Sequence, residues 1–146
     1  MDYLDQVFCE VLRLFPPTQR LDRMSVRDTS LGGKFVPRGM MINVSVWSIH
    51  HDEAYWPKPY EFDPSRFAPE NKGKIVSHSY LPFGSGPRNC IGMRFAILEV
   101  KIATAHLVKR FKLERCSKTE WPPNLRSQVH TVPVGGIWLK LAKRHP

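Results

Sequence analysis

Cysteine is scarce in this chain: the 146 residues hold three, Cys9, Cys90 and Cys116. An odd number at wide spacing makes a poor disulfide framework. No Cys-x-x-Cys pair or Cys/His cluster has the spacing of a zinc site. The thiols are therefore expected to be reduced and to face a cytosol-like compartment. Long apolar runs are missing too, and no stretch approaches the ~20 residues needed to span a bilayer. No charged start followed by an apolar run is present, so no secretory signal is expected. Acidic residues are few, 13 against 22 Lys and Arg, which leaves a net charge of +9. That balance suits an acidic partner (nucleic acid, anionic lipid or protein) and equally suits a basic surface with no dedicated role. Internal repeats, low-complexity tracts and linkers are absent, so residues 1–146 read as one domain or part of one.

Proline, by contrast, is plentiful, with 13 residues spread along the chain. Dispersed in this way it points to a loop-rich fold rather than a disordered tract. With 42% hydrophobic and 24% charged residues the composition is that of an ordinary globular protein. The core it can bury is modest. Residues 2–15 read as an amphipathic helix stopped by Pro16 and Pro17. Its apolar pattern is already under way at Met1 with only Asp2 as a cap, the mark of a chain that begins inside a longer one. Val26 to Pro37 reads as two short strands about a Gly32-Gly33 turn. Met40 to Val46 reads as a strand, and Trp47 to His51 as a single helical turn. Asp52 to Pro82 is expected to be irregular but packed by its aromatics. A Gly/Pro loop follows from Leu81 to Gly92. Met93 to Phe111 is the longest helix, with Phe95, Leu98, Ile102, Ala105 and Leu107 on its apolar face. Lys112 to Cys116 reads as a strand, and Val132 to Leu141 as a β-hairpin about Gly135-Gly136.

The sharpest feature is Phe83-Gly84-Ser85-Gly86-Pro87-Arg88-Asn89-Cys90-Ile91-Gly92, which runs straight into a helix. The glycines let the loop turn tightly and approach something flat. Cys90 falls just before a helix N-terminus, where free amides and the helix dipole stabilise negative charge on sulfur. The amides of Ile91 and Gly92 can donate to that sulfur and tune it. A thiolate so presented suits a soft metal or a haem iron. A structural cysteine in a turn would not require Phe, Gly, Arg and Gly at those offsets.

Phe83, Gly86, Arg88, Cys90 and Gly92 match F-x-x-G-x-R-x-C-x-G, and on this signature the chain resembles the cytochrome P-450 enzymes. Glu10 and Arg13, spaced i, i+3 on one helix face, resemble the family's E-x-x-R. Pro64-Ser65-Arg66-Phe67 resembles its Pro-x-Arg-Phe segment, with Ser65 where many relatives carry Glu. The run into Leu14-Phe15-Pro16-Pro17, the H-x-D-x-x-Y-W of His50 to Trp56 and the cysteine loop are similar to the microsomal family 3 branch, which oxidises drugs and steroids, and to its relative thromboxane synthase. The likeness covers essentially the whole chain. It implies a mainly α fold with a small β region, of which this is the C-terminal part: K helix, β strands, meander, cysteine loop, L helix and terminal β-hairpin.

The resemblance also implies roles. Cys90 would be the axial ligand of haem b. Phe83, Gly84, Gly86, Ile91 and Gly92 would line the cofactor, and Arg23 and Arg88 would hydrogen-bond its propionates, a task suited to the arginine fork. Glu10, Arg13 and Arg66 would form a buried charge network, which stabilises only when every member is present. Pro17, Thr18, Gln19 and Arg20, with Gln128 and Val129 in the turn Ser127 to His130, fall where relatives contact substrate. The six histidines have structural rather than metal-binding roles. The implied reaction inserts one oxygen atom from O₂ into a lipophilic substrate, a steroid or xenobiotic. Electrons would come from an NADPH-dependent flavoprotein reductase, with cytochrome b5 a second possible donor. Lys72, Lys74, Arg94, Lys101, Lys109 and Arg110 would help dock such an acidic donor or, equally, form a solvated face, and nucleic acid is not an expected partner. Localisation would be the cytosolic face of the endoplasmic reticulum membrane. The family's oxygen-activating helix has no counterpart in these residues, so the chain alone is expected to be inactive. Two other readings stand beside this one: a haem-thiolate isomerase of the thromboxane-synthase kind that needs no reductase, and a truncated non-enzymatic product.

Overall fold

The computed structural model describes residues 2–127 and 130–144. It contains three α-helices and four two-stranded antiparallel ladders joined by long irregular segments. The content of this chain is thus mixed rather than mainly helical. Helix α1 spans Asp2–Leu14. Asp2 and Asp5 lie in its first turn and Arg13 in its last, the polarity that complements the helix dipole. Pro16 and Pro17 end it, because neither can donate the next backbone hydrogen bond. The Phe15 amide closes the last turn onto the Val11 carbonyl at 2.8 Å.

Strand β1 (Arg20–Met24) pairs with β4 (Met41–Ser45), from Arg20 opposite Ser45 to Met24 opposite Met41. Between them lies the hairpin of β2 (Thr29–Leu31) and β3 (Lys34–Val36). Its two turn residues are Gly32 and Gly33, with φ of +57° and +77°. Two successive positive φ angles are what the mirror-image hairpin turn demands and what glycine supplies without a Cβ penalty. The short helix α2 (Val46–His50) follows β4 directly, its N-terminus capped by the Ser45 hydroxyl. The Trp47 amide donates to the Gln19 carbonyl at 3.1 Å and ties α2 to the approach to β1.

From Asp52 to Pro82 regular structure is confined to two 3₁₀ turns, Pro64–Phe67 and Lys72–Lys74. The segment is nevertheless the core of the molecule. Trp56 and Phe67 are buried, their rings 5.8 Å apart. Phe67 lies 4.8 Å from the Tyr80 ring, which stacks on His50 at 5.5 Å. The Trp56 indole donates to the Ser79 carbonyl at 3.2 Å, so the large ring is buried with its polar edge satisfied. Leu12, Leu14, Val36, Val46, Ala68 and Leu81 are further buried apolar side chains.

Helix α3 (Met93–Arg110) forms where the periodicity predicts it, but buries no residue against the rest of the described chain. Phe95 is 71% exposed, and Leu98 and Ile102 are exposed beside it. An ion pair from Lys101 to Asp5 links α3 to α1. Strand β5 (Phe111–Glu114) follows and pairs with β8 (Lys140–Lys143). Strand β6 (Leu125–Ser127) pairs with β7 (Thr131–Pro133). The hairpin expected over Val132 to Leu141 is therefore not formed. The chain does turn at Gly135 and Gly136, both at positive φ, but the strands on either side choose other partners. The Val134 amide donates to the Asn124 carbonyl, and the Trp138 carbonyl accepts from the Thr119 hydroxyl. Those long-range bonds satisfy the backbone that a local hairpin would have paired.

Because the aromatic core holds the irregular segment, Trp56→Ala should destabilise the 146-residue chain by about 3–5 kcal/mol, while Phe95→Ala on the open face of α3 should stay within about 0.5 kcal/mol. Denaturant midpoints of the two variants check this; equal losses would contradict the placement of the core.

Candidate functional site

The cysteine loop hangs from a buried root. Leu81 is buried and its amide donates to His50 Nε2 at 2.8 Å. From there the loop is closed by its own backbone. The Gly84 amide donates to the Leu81 carbonyl at 3.1 Å and the Asn89 amide to the Gly86 carbonyl at 3.1 Å. The Cys90 amide donates to the Phe83 carbonyl at 2.8 Å and so shuts the loop behind the sulfur. Gly84 and Gly86 have φ of +75° and +76°. A Cβ on Gly84 would meet Asn89 Cα and Leu21 Cδ1 only at 3.7 Å, an ordinary contact. Backbone conformation rather than lack of space therefore calls for glycine here. Gly86–Arg88 makes one 3₁₀ turn, and α3 starts three residues after Cys90.

The chemistry-bearing side chains face outward. Cys90, Arg88 and Ile91 are exposed and Phe83 is half-buried. A Cβ on Gly92 would lie 3.9 Å from Cys90 Sγ, so glycine leaves the helix-side approach to the sulfur open. Arg23 is exposed on β1, its guanidinium donating to the Asp22 carbonyl at 2.8 Å. It stands two residues from Leu21, the β1 side chain nearest Gly84, and therefore on the same face of the strand. The loop thus carries an exposed thiol, an exposed guanidinium and a half-buried aromatic, and Arg23 is a further exposed guanidinium on β1. This donor set fits a flat, anionic iron cofactor with a single sulfur ligand. Among the described residues no group of three or more His, Cys, Asp or Glu could hold a metal ion instead.

Glu10, Arg13 and Arg66 come together. Glu10 and Arg13 are completely buried. Arg13 Nε and Nη2 each donate to a Glu10 carboxylate oxygen at 2.8 Å, a bidentate fork. Arg13 Nη1 donates to the His50 carbonyl at 2.8 Å, and Nη2 reaches the Glu61 carbonyl at 3.3 Å. Its guanidinium also lies over the Trp56 ring, 5.4 Å from the centroid. The Glu10 carboxylate accepts from the Asp63 amide at 3.0 Å and pairs with Arg66 Nε at 3.5 Å. Arg66 in turn donates to the Lys58 carbonyl at 3.1 Å. A buried charge pair of this kind is tolerable because Arg13 makes four hydrogen bonds and the Glu10 carboxylate accepts three.

Pro17, Thr18 and Gln19 lie in the link from α1 to β1, and Arg20 opens β1. The Pro17 carbonyl accepts from the Thr131 amide at 2.9 Å, so this link touches the start of β7. Gln128 and Val129 lie outside the described residues. Arg20 pairs with Asp22 at 3.4 Å on the surface.

Sequence reasoning missed the part played by His50. The ring is buried, and burial lowers its pKa from 6.5 to about 4. Burial lowers His51 as well. The same effect pushes the Tyr80 hydroxyl, which donates to the Cys9 carbonyl at 3.0 Å, and the Cys9 thiol upward. The His50-x-Asp52 spacing was visible in the chain, but nothing in it distinguishes a buried hydrogen-bonding histidine from a surface one.

A family model for cytochrome P-450 matches residues 1–140. The chain belongs to the cytochrome P-450 family. It is 45% identical over 144 residues to cytochrome P-450 3A18 and to cytochrome P-450 3A2 of Rattus norvegicus. It is 44% identical over the same length to the lithocholate 6-beta-hydroxylase of Mesocricetus auratus. Each match takes in 99% of this chain and 29% of the relative, so the chain spans less than a third of the length of these P-450 proteins.

The depressed pKa of His50 gives this P-450 chain a pH signature. As pH falls from 6.5 toward about 4, the unfolded chain binds a proton at residue 50 that the folded chain refuses. Stability therefore falls with falling pH, by up to about 1.4 kcal/mol per pH unit for this group. Thermal midpoints measured across that window should drop, and the slope should be shallower for His50→Gln; a parent midpoint that does not change would contradict the buried neutral ring.

Proposed function

We propose that this chain is the thiolate-side part of a haem-dependent monooxygenase that oxidises lipophilic molecules of the steroid or xenobiotic class. The observation that carries the reading is the Cys90 loop: an exposed cysteine in a loop whose backbone is closed by the Cys90–Phe83 hydrogen bond. Cys90 would hold the iron of haem b as its axial ligand. When bound, the haem supplies the oxygen-activating redox chemistry, and the protein supplies orientation and electronic tuning.

Each surrounding residue then has a task. A Cys90 thiolate donates electron density to the cofactor. The amides of Ile91 and Gly92, at the start of α3, moderate that donation by hydrogen bonding toward sulfur. Arg88 and Arg23 offer planar forks to the carboxylates of the cofactor rim. Phe83 packs at its face, and glycine at 84, 86 and 92 keeps side chains out of its way. The Glu10, Arg13 and Arg66 network stiffens the support from behind. Pro17 to Arg20, with Gln128 and Val129, border the substrate.

The exposed cations Lys72, Lys74, Arg94, Lys109 and Arg110, with half-buried Lys101, are a suitable landing site for an acidic electron donor such as an NADPH-dependent flavoprotein reductase or cytochrome b5. No described helix is long and apolar enough to cross a membrane. Placement at the cytosolic face of the endoplasmic reticulum follows from the likeness to the family 3 relatives. Turnover would require the remaining length that those relatives possess.

Two measurements test the proposal at the relatives' full length. Cys90→Ala should abolish the red-shifted absorption of the ferrous carbonyl complex that reports thiolate ligation, and a variant that keeps it would sink the assignment. Oxidation of a steroid should depend on reductase and NADPH. Product formation from an endoperoxide without any electron donor would instead identify an isomerase.

A further inference from the structure

We propose that His50 is a positioning residue for the cysteine loop, a neutral imidazole clamp that hangs the thiolate-bearing segment from the end of α1. The imidazole is completely buried and makes two polar contacts from its two nitrogens. Nε2 lies 2.8 Å from the Leu81 amide, which can only donate. Nε2 must therefore carry the lone pair, and the ring proton sits on Nδ1. Nδ1 lies 3.1 Å from the Arg13 carbonyl, which can only accept. One tautomer of one neutral ring satisfies both contacts.

The clamp is doubled through the main chain, because the Arg13 guanidinium donates back to the His50 carbonyl at 2.8 Å. Residues 13 and 50 thus hold each other by side chain to backbone in both directions. The free end of this pair grips Leu81, whose own carbonyl accepts from Gly84 as the loop begins. Leu81 is the last buried residue before Cys90. Its position sets where the loop leaves the core and hence where the sulfur stands. Leu81 is buried, so loss of the Nε2 acceptor would leave its amide unpaired.

Two variants separate the halves of the clamp. His50→Asn keeps a donor near the Nδ1 position for the Arg13 carbonyl but loses the acceptor for Leu81. His50→Gln places an amide oxygen near the Nε2 position and keeps that acceptor. The inference rests on the haem-thiolate reading, so the readouts are chosen to fail separately: amide exchange in the cofactor-free protein, and the ferrous carbonyl spectrum in the loaded one, both at the relatives' full length.

His50→Asn should raise amide exchange across Leu81 to Cys90 by about tenfold, leave α1 protected, and reduce the thiolate-type fraction of the spectrum. His50→Gln should restore both readouts toward the parent. Parental exchange in His50→Asn, equal damage in both variants, or loss of protection throughout α1 as well would overturn the clamp. Altered exchange with an unmoved thiolate spectrum would overturn its positioning role. If the parent itself lacks the thiolate-type spectrum, the haem reading fails, and the exchange result still decides whether His50 hangs the loop.

Discussion

A guanidinium group with no access to water is the constraint around which this chain is arranged. Arg13 is fully buried, and an unpaired charge there would be prohibitive. It binds Glu10 with two hydrogen bonds and donates two more to the carbonyls of His50 and Glu61. Glu10 extends the same lattice to the Asp63 amide and to Arg66. Side chains from one helical turn therefore fix backbone from 50 to 66. That stretch has only a few residues of regular helix, so the polar frame does what a sheet or helix ladder would do elsewhere.

The frame and the chemical face are mechanically continuous. The His50 ring carries the constraint on to Leu81, and the backbone bonds of the loop carry it on to Cys90. Around the frame the aromatic set of Trp56, Phe67 and Tyr80 excludes water. In front of it the sulfur, Arg88 and Ile91 stand in the open. Under the proposed haem-thiolate role, a rigid interior behind an exposed Cys90 would keep the sulfur from collapsing inward when the cofactor is away.

Much of this was legible beforehand, and the exceptions have physical causes. The 3.6-residue pattern of α1 and α3, the prolines after α1 and the glycine pair at 32–33 act locally, so their reading transfers directly to structure. The offsets of Phe83, Gly86, Arg88, Cys90 and Gly92 mark the loop because a tight turn and a presented sulfur restrict residue type at each position. Strand pairing is a long-range choice. Residues 132–141 turn at Gly135 and Gly136 as the composition suggests, yet β7 and β8 pair with β6 and β5. The same limit hid His50, whose partners are 37 and 31 residues away. The stripe on α3 shows that periodicity reports a capacity for burial rather than its occurrence, since Phe95 and Leu98 stay exposed among the described residues.

The claim most in need of direct measurement is that the directed hydrogen bonds of Arg13, rather than its charge, hold the irregular segment. Arg13→Lys keeps the charge and the pairing to Glu10 but cannot reach both carbonyls with a planar fork. Residue-resolved amide exchange on this variant is the test. Arg13→Lys should lose protection over Glu61 to Phe67 and at His51 and retain it in the β5–β8 ladder. Parental protection throughout Glu61 to Phe67 would show that charge alone suffices and would contradict the account.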